Sequence, residues 1–203
     1  LCKNYKKSIF VNHKDLYNPA FIKFTKEIKK IGDYSKINIF FGKYQKITAL
    51  KNRLAFLPSF DWLPHPIAIA IKLEGVPKKI KILQNKIFIR KKNIFQNFKI
   101  IFSYKKRIIQ INFSNLYKKP KRRIEVKGSK AKIIYDGYRK NMLLKKIKNR
   151  KLEKIRYNEI DPFDNLINRF YLSLKKQLYN NDIHISNKVM RILFEIENEM
   201  KIK

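Results

Sequence analysis

The sequence predicts an α+β fold, a large, mainly antiparallel open sheet with helices on one face. Three observations predict it. Short alternating runs recur from Lys78 to about Lys148, and the segments on either side repeat apolar residues at helical spacing. Over 203 residues, 44% hydrophobic content with 13% aromatics is enough to fill one core.

Taken in order, residues 8–12 read as a short buried strand, so the chain opens inside an element and Leu1 is not a Met. A missing upstream portion is the expectation. Asn18 can cap a helix with Pro19 at its first position, and Phe21, Phe24, Ile28 and Ile31 keep helical spacing until Gly32. Residues 35–42 alternate as a strand. Residues 43–59 form a lysine-bearing loop expected near a ligand. Residues 66–73 form an apolar helix opened by Pro66 and closed around Gly75, with Pro77 barring continuation, and it is expected to be buried on all sides.

Strands are then predicted at 80–83, 87–90, 98–104, 108–113, 123–127, 132–135 and 143–147, with turns such as 104–107 and 128–130 between them. Asp161 caps a helix carrying Phe163, Leu166, Ile167, Phe170 and Leu174. A last helix starts at Ser186 with Val189, Ile192, Leu193 and Ile196. Both are expected to cover one face of the sheet.

Charge narrows the function classes. There are 49 basic and 15 acidic residues, a formal +34, which is the electrostatic footprint of an anion binder. The basic residues, mostly lysine, are spread along the whole chain and alternate with Ile or Phe, as on solvated strand faces. Joint enrichment of Lys, Ile, Asn, Tyr and Phe fits drift in an AT-rich genome. The single Cys2 excludes an internal disulfide and a cysteine-based zinc site and points to a reducing cytoplasm. No stretch of about 18 uncharged apolar residues occurs, so no membrane span is predicted. No His/Asp/Glu set shows metal-ligand spacing.

The cluster 61–66 holds the most chemistry. Asp61 and His65 stand four residues apart before the apolar helix, with Trp62 between them. At the N-cap ahead of Pro66, the helix dipole favours a neutral imidazole, which can accept a proton. A positioned base contributes about 10²–10⁴-fold to hydroxyl deprotonation. Asp61 could orient or support it. The plain alternative is a capping histidine and an aspartate bonded to turn amides. Asn12 and His13 lie at the end of the first strand, where open α/β sheets bind ligands. Tyr17 and Trp62 are candidates for substrate contact.

The segment Asp61-x-x-x-His65, then Ile67-Ala68-Ile69-Ala70-Ile71 and Leu73-Glu74-Gly75-Val76-Pro77, resembles the substrate-domain signature of the glucose–fructose oxidoreductase, inositol dehydrogenase and rhizopine catabolism (Gfo/Idh/MocA) family. Val11-Asn12-His13 resembles the last strand of that family's dinucleotide-binding domain, and Leu16-Tyr17-Asn18-Pro19-Ala20-Phe21 the helix start that follows. Residues 121–128, 133–136 and the last two helices resemble further family segments in the same order.

The resemblance implies that residues 1–14 end a truncated Rossmann domain and 15–203 form a substrate-binding and dimerisation domain. It implies an NAD- or NADP-dependent oxidoreductase acting on a sugar, sugar derivative or cyclic polyol, and a homo-oligomer formed through the sheet. Asp61 and His65 inherit catalytic roles, and Asn12 and His13 would approach the cofactor. The family's Glu-Lys-Pro lysine has no counterpart here, and the five glycines form no G-x-G-x-x-G turn. This chain alone is therefore expected to be inactive. Leu63 and Pro66 stand where the family often has glycine and a polar residue, which touches specificity.

Two other functions compete. A basic nucleic-acid binder would use 118–132, including Lys121, Arg122 and Arg123, although no recognisable module is present. A non-catalytic substrate-domain remnant would account for the absent cofactor motifs.

Overall fold

The computed structural model describes residues 11–48, 57–138, 142–147, 152–175 and 182–201. Of the expected strand over 8–12, only Val11 and Asn12 fall among these, without regular structure; Cys2 lies outside them. A 3-10 turn, Lys14–Tyr17, leads into helix α1, Pro19–Glu27. Asn18 Oδ1 accepts from the Ala20 amide at 2.9 Å, the cap its type and the following proline predict. The helix tightens to 3-10 over Ile28–Lys30 and ends at Gly32, φ 80°. Phe21 and Phe24 meet the Tyr135 ring at 5.9 and 6.1 Å, fixing the helix to the sheet.

Strand β1, Lys36–Gly42, is followed by the two-residue β2, Ile47–Thr48, inside the segment expected to be loop. Gly42 has φ 132°, and a Cβ there would enter the Ser114 backbone, so only glycine lets β1 end this close to its neighbour. Helix α2, Pro58–Trp62, runs almost directly into α3, Pro64–Glu74. The Leu63 amide bonds Ser59 O at 2.7 Å and the Ile67 amide bonds Leu63 O at 3.0 Å.

The apolar helix thus starts two residues before its expected Pro66. Both prolines fit its first turn, where amide hydrogens lack helical partners anyway. His65 is consequently the second helical residue and not the cap. Pro66 through Ile71 are all buried, as expected of a helix apolar on every side, and Gly75 caps its end.

The remaining strands are β3 (Lys79–Arg90), β4 (Asn93–Ser103), β5 (Ile108–Ser114), β6 (Lys121–Lys127), β7 (Ala131–Asp136), β8 (Met142–Ile147) and β9 (Leu152–Lys154). One mixed sheet runs β2-β4-β5-β1-β6-β7-β8-β9, with β3 on the other side of β4. Among the described strands, β1 and β5 are the one parallel pair. The two strands expected at 80–83 and 87–90 are one, because a register shift between Ile82 and Gln84 absorbs the break. Lys91 and Lys92, at φ 48° and 61°, make the tight turn to β4 without the usual Asn-Gly cue.

Ile37, Ile39, Phe41, Ile100, Phe102, Ile109, Ile111, Ile124 and Ile133 line the helix-side face and are essentially inaccessible. The opposite face carries polar side chains that bond one another along and across strands. Lys36 Nζ donates to Gln110 Oε1 at 2.9 Å, and Arg123 and Lys132 both pair with Glu125.

Helix α4, Pro162–Lys175, packs on the Lys14–Tyr17 turn, and α5, Asp182–Lys201, packs on α3 and β3. The last helix therefore forms partly a second layer, held by Val189, Ile192, Leu193 and Ile196. In α4 only Leu166 is buried, while Phe163, Ile167 and Leu174 remain exposed.

Candidate functional site

Helix α3 lies across the sheet so that its first turn meets the end of β1. There the His65 ring stacks on Phe41, centroids 5.9 Å apart and planes 14° apart. The β1–β6 register sets Arg122 opposite Phe41. The Arg122 guanidinium consequently lies between two rings, 5.0 Å from Phe41 and 5.1 Å from Tyr138.

Between the histidine and the arginine stands Asp15, whose side chain is 4% exposed. Its Oδ1 is 3.0 Å from Arg122 Nη1, and its Oδ2 is 3.3 Å from His65 Nδ1. The carboxylate partner of His65 is therefore Asp15, not Asp61. Asp61 is exposed on α2 and makes no ion pair with His65. Residues four apart share a face of an unbroken helix, but Asp61 belongs to α2 and His65 to α3, and Pro64 between them has no amide hydrogen to continue the helical ladder.

Trp62 is buried against Phe41 and Phe113, with its Nε1 donating to Gln45 Oε1 at 3.2 Å. Lys43 Nζ lies 5.8 Å from its ring centroid, which brings the start of the lysine-bearing loop beside the cluster. Tyr17 is also buried, with Arg169 over its ring at 5.9 Å and its carbonyl accepting from Asn165. Asn12 is exposed, whereas His13 is buried with Nε2 3.0 Å from Ser186 Oγ, joining the cluster to α5. Burial, and secondly the charge of His65, hold the His13 imidazole below the ordinary histidine value, and Asp15 opposes them.

Several buried polar atoms here carry no hydrogen bond: Asp15 Oδ2, Arg122 Nε and the Tyr135 hydroxyl. Such concentration is uncommon in a structural core. Burial, then Asp15, push the Tyr135 phenol upward, with Arg122 opposing. A cavity of about 310 Å³ borders the cluster through Tyr138 and is lined also by Asn18, Asp136, Gly137, Tyr157 and Glu159.

Sequence reasoning reached His13, His65 and Trp62, named Arg122 only as part of a nucleic-acid surface, and missed Asp15 and Phe41. The one available signal was an acidic residue in an acid-poor chain just beyond the first strand. Among the described residues no three His, Cys, Asp or Glu converge as a metal site. No helix among them is long and apolar enough to cross a membrane. They also contain no glycine-rich strand-to-helix turn, so they do not fit the phosphates of a dinucleotide.

No family model and no curated protein matches the sequence. Solved structures do, among them Gfo/Idh/MocA-type oxidoreductases. An aldose–aldose oxidoreductase from Caulobacter crescentus is similar with TM-score 0.72 at 12% identity, over 97% of this chain and 63% of that one. UDP-N-acetylglucosamine 3-dehydrogenase from Acidithiobacillus ferrooxidans has TM-score 0.68 at 13% identity, over 92% and 59%. Biliverdin reductase from Synechocystis sp. PCC 6803, solved with biliverdin and NADP+, has TM-score 0.65 at 13% identity, over 89% and 59%. The chain thus spans less than two thirds of these structures. Its fold is that of the C-terminal domain of such oxidoreductases.

Proposed function

We propose that the chain is the substrate-side portion of an NAD(P)-dependent oxidoreductase acting on a hydroxyl or keto group of a sugar, sugar derivative or cyclic polyol. Residues 1–14 would close a dinucleotide-binding domain and 15–203 form the substrate-binding and dimerisation domain. The observation that carries this reading is the His65 imidazole, held at Nδ1 by a buried carboxylate at the end of β1, in a sheet whose fold is shared with oxidoreductases.

Oxidising a secondary alcohol requires the hydroxyl proton to leave with the hydride. With Nδ1 turned to Asp15, Nε2 is the ring's remaining nitrogen and the acceptor for that proton; in the reverse direction it returns it. Asp61, exposed just before α3, acts on the substrate side of His65. Tyr17 and Trp62 shape the apolar wall, and Asn12, exposed near His13, is the first of that pair a cofactor would reach. Lys43 beside Trp62 supports an anionic sugar. No hydride step is assigned to these residues, because they include no dinucleotide cradle.

The polar outer face of the sheet supports association of two copies, with sedimentation of the protein as its check. The nucleic-acid reading loses support because Arg122, Arg123 and Lys132 are committed to Asp15 and Glu125.

The test is to sequence the coding DNA upstream of Leu1 and to assay the full product for NAD+ or NADP+ reduction with neutral and anionic sugars. An in-frame glycine-rich turn, a Glu-Lys-Pro and turnover favouring anionic sugars are expected. A start codon beside Leu1 would withdraw the catalytic reading, and a preference for neutral sugars would withdraw the anionic one.

A further inference from the structure

We propose that Asp15 and Arg122 are positioning residues that fix the tautomer of His65, with Arg122 orienting the aspartate and the aspartate orienting the imidazole. The part His65 plays in turnover rests on the reading above; the state of its ring does not.

Three contacts lead to this. Arg122 lies within 5.0 and 5.1 Å of the Phe41 and Tyr138 ring centroids, with its side chain 16% exposed, so the guanidinium has little freedom to leave. A guanidinium only donates, and its Nη1 at 3.0 Å commits one Asp15 oxygen as an acceptor. The other oxygen is buried, no hydrogen bond reaches it, and the nitrogen that forms an ion pair with it is His65 Nδ1 at 3.3 Å.

A buried carboxylate oxygen without a donor is costly. An Nδ1 lone pair facing that oxygen would set two acceptors against each other. An Nδ1–H removes both penalties, on a ring that is stacked on Phe41 with its Nδ1 3.3 Å from the oxygen. The proton therefore resides on Nδ1, and the basic lone pair is on Nε2.

The arrangement gives a tautomer inversion that plain packing would not. In Asp15→Asn, Arg122 still requires an acceptor, so the amide oxygen turns to Arg122 and the NH2 turns to His65. An NH2 donor selects the opposite tautomer, Nε2–H, and the outward acceptor is lost.

Long-range nitrogen–proton NMR spectra of the three imidazoles distinguish the tautomers directly, with His65 assigned by the signals missing in His65→Gln. With the ring neutral, the wild-type protein is expected to show Nδ1–H, Asp15→Asn Nε2–H, and Asp15→Glu Nδ1–H again. Should Asp15→Asn not fold, the wild-type spectrum alone decides, since Nε2–H there overturns the proposal. An unchanged tautomer in folded Asp15→Asn overturns it equally.

In the full-length enzyme, Asp15→Asn should lower kcat by up to about 10⁴-fold with little change in KM, the loss a wrong tautomer causes in the serine-protease triad. Asp15→Glu should recover part of it. If the tautomer inverts and no dehydrogenase activity is found, the positioning stands and the oxidoreductase reading falls. If activity is present and the tautomer does not respond, the reverse holds.

Discussion

Helix α3 joins two charged clusters that use the same parts differently. At its end, Glu74 receives both oxygens' worth of Arg107, at 2.9 and 3.1 Å, and the Tyr34 hydroxyl at 3.1 Å, while the guanidinium lies 4.2 Å from the Tyr34 ring. At its start, Arg122 again covers aromatic rings and again pairs with a carboxylate. There, however, one carboxylate oxygen is turned to an imidazole and three buried polar atoms lack hydrogen bonds. The Glu74 carboxylate uses its bonds to pin α3 to the entry of β1 and β5, and among the described residues the single buried polar atom without a hydrogen bond beside it is the Tyr104 hydroxyl. The Asp15 cluster leaves capacity unused, as a site that must engage a substrate does.

The largest effect expected from this contrast is catalytic. In the full-length protein, His65→Gln should lower kcat/KM by about 10²–10⁴-fold. It should cost about 1 kcal/mol of stability, because the ring stacks on Phe41 and faces the buried Asp15 Oδ2 although it is about one-third exposed, at 31%. Steady-state kinetics beside thermal unfolding check both; an active His65→Gln breaks the contrast.

Next comes stability at the other end. Glu74→Ala strands Arg107 and Tyr34 together and should cost about 1–3 kcal/mol. Arg107→Ala, whose side chain is 39% exposed, should cost about 1 kcal/mol. Denaturant midpoints measure these losses, and neither variant should alter the His65 tautomer.

Glycines next to each cluster sharpen the comparison further. A Cβ on Gly137 would stand 2.6 Å from the Tyr135 hydroxyl and 3.0 Å from Arg122 Cδ. Gly137→Ala is thus an overpacking change of about 1–3 kcal/mol that also disturbs Arg122 and the His65 signals. Gly75→Ala meets nothing within 4 Å and pays only for its backbone, φ 82° with ψ −158°, a region essentially confined to glycine, about 1–3 kcal/mol, with no response at His65.

The smallest effects are in pH dependence. Burial, then Glu74, push Tyr34 up to about 12. Its folded value exceeds the unfolded one, so its contribution is complete below about pH 10 and is lost as pH rises toward 12. Tyr34→Phe should flatten that alkaline loss. His13 is lowered instead, so its contribution is present above about pH 6.5 and is lost as pH falls through the folded value. His13→Asn should flatten the acid side, as melting temperatures across pH would record.

Much of this was legible locally. The Asn18 cap, the run from Pro66 to Ile71 and the alternation of Ile37, Ile39 and Phe41 depend on neighbours a few residues away, and each appears where its pattern placed it. Local misreadings had local causes. A bulge after Ile82 looked like a strand break, and the turn at Lys91-Lys92 lacked its glycine. The second proline, Pro66, hid a helix that starts at Pro64.

By itself, the sequence determined the α+β class, the buried helix and the presence of His65 at its start. Only the tertiary structure decided which carboxylate faces that histidine. Asp15 reaches it because a 3-10 turn, the first turn of α3 and the Phe41–Arg122 register converge at the end of β1, in the middle of the sheet. Spacing along a chain specifies periodicity and caps, whereas the partner of a side chain is set by the packing of segments that the sequence keeps far apart.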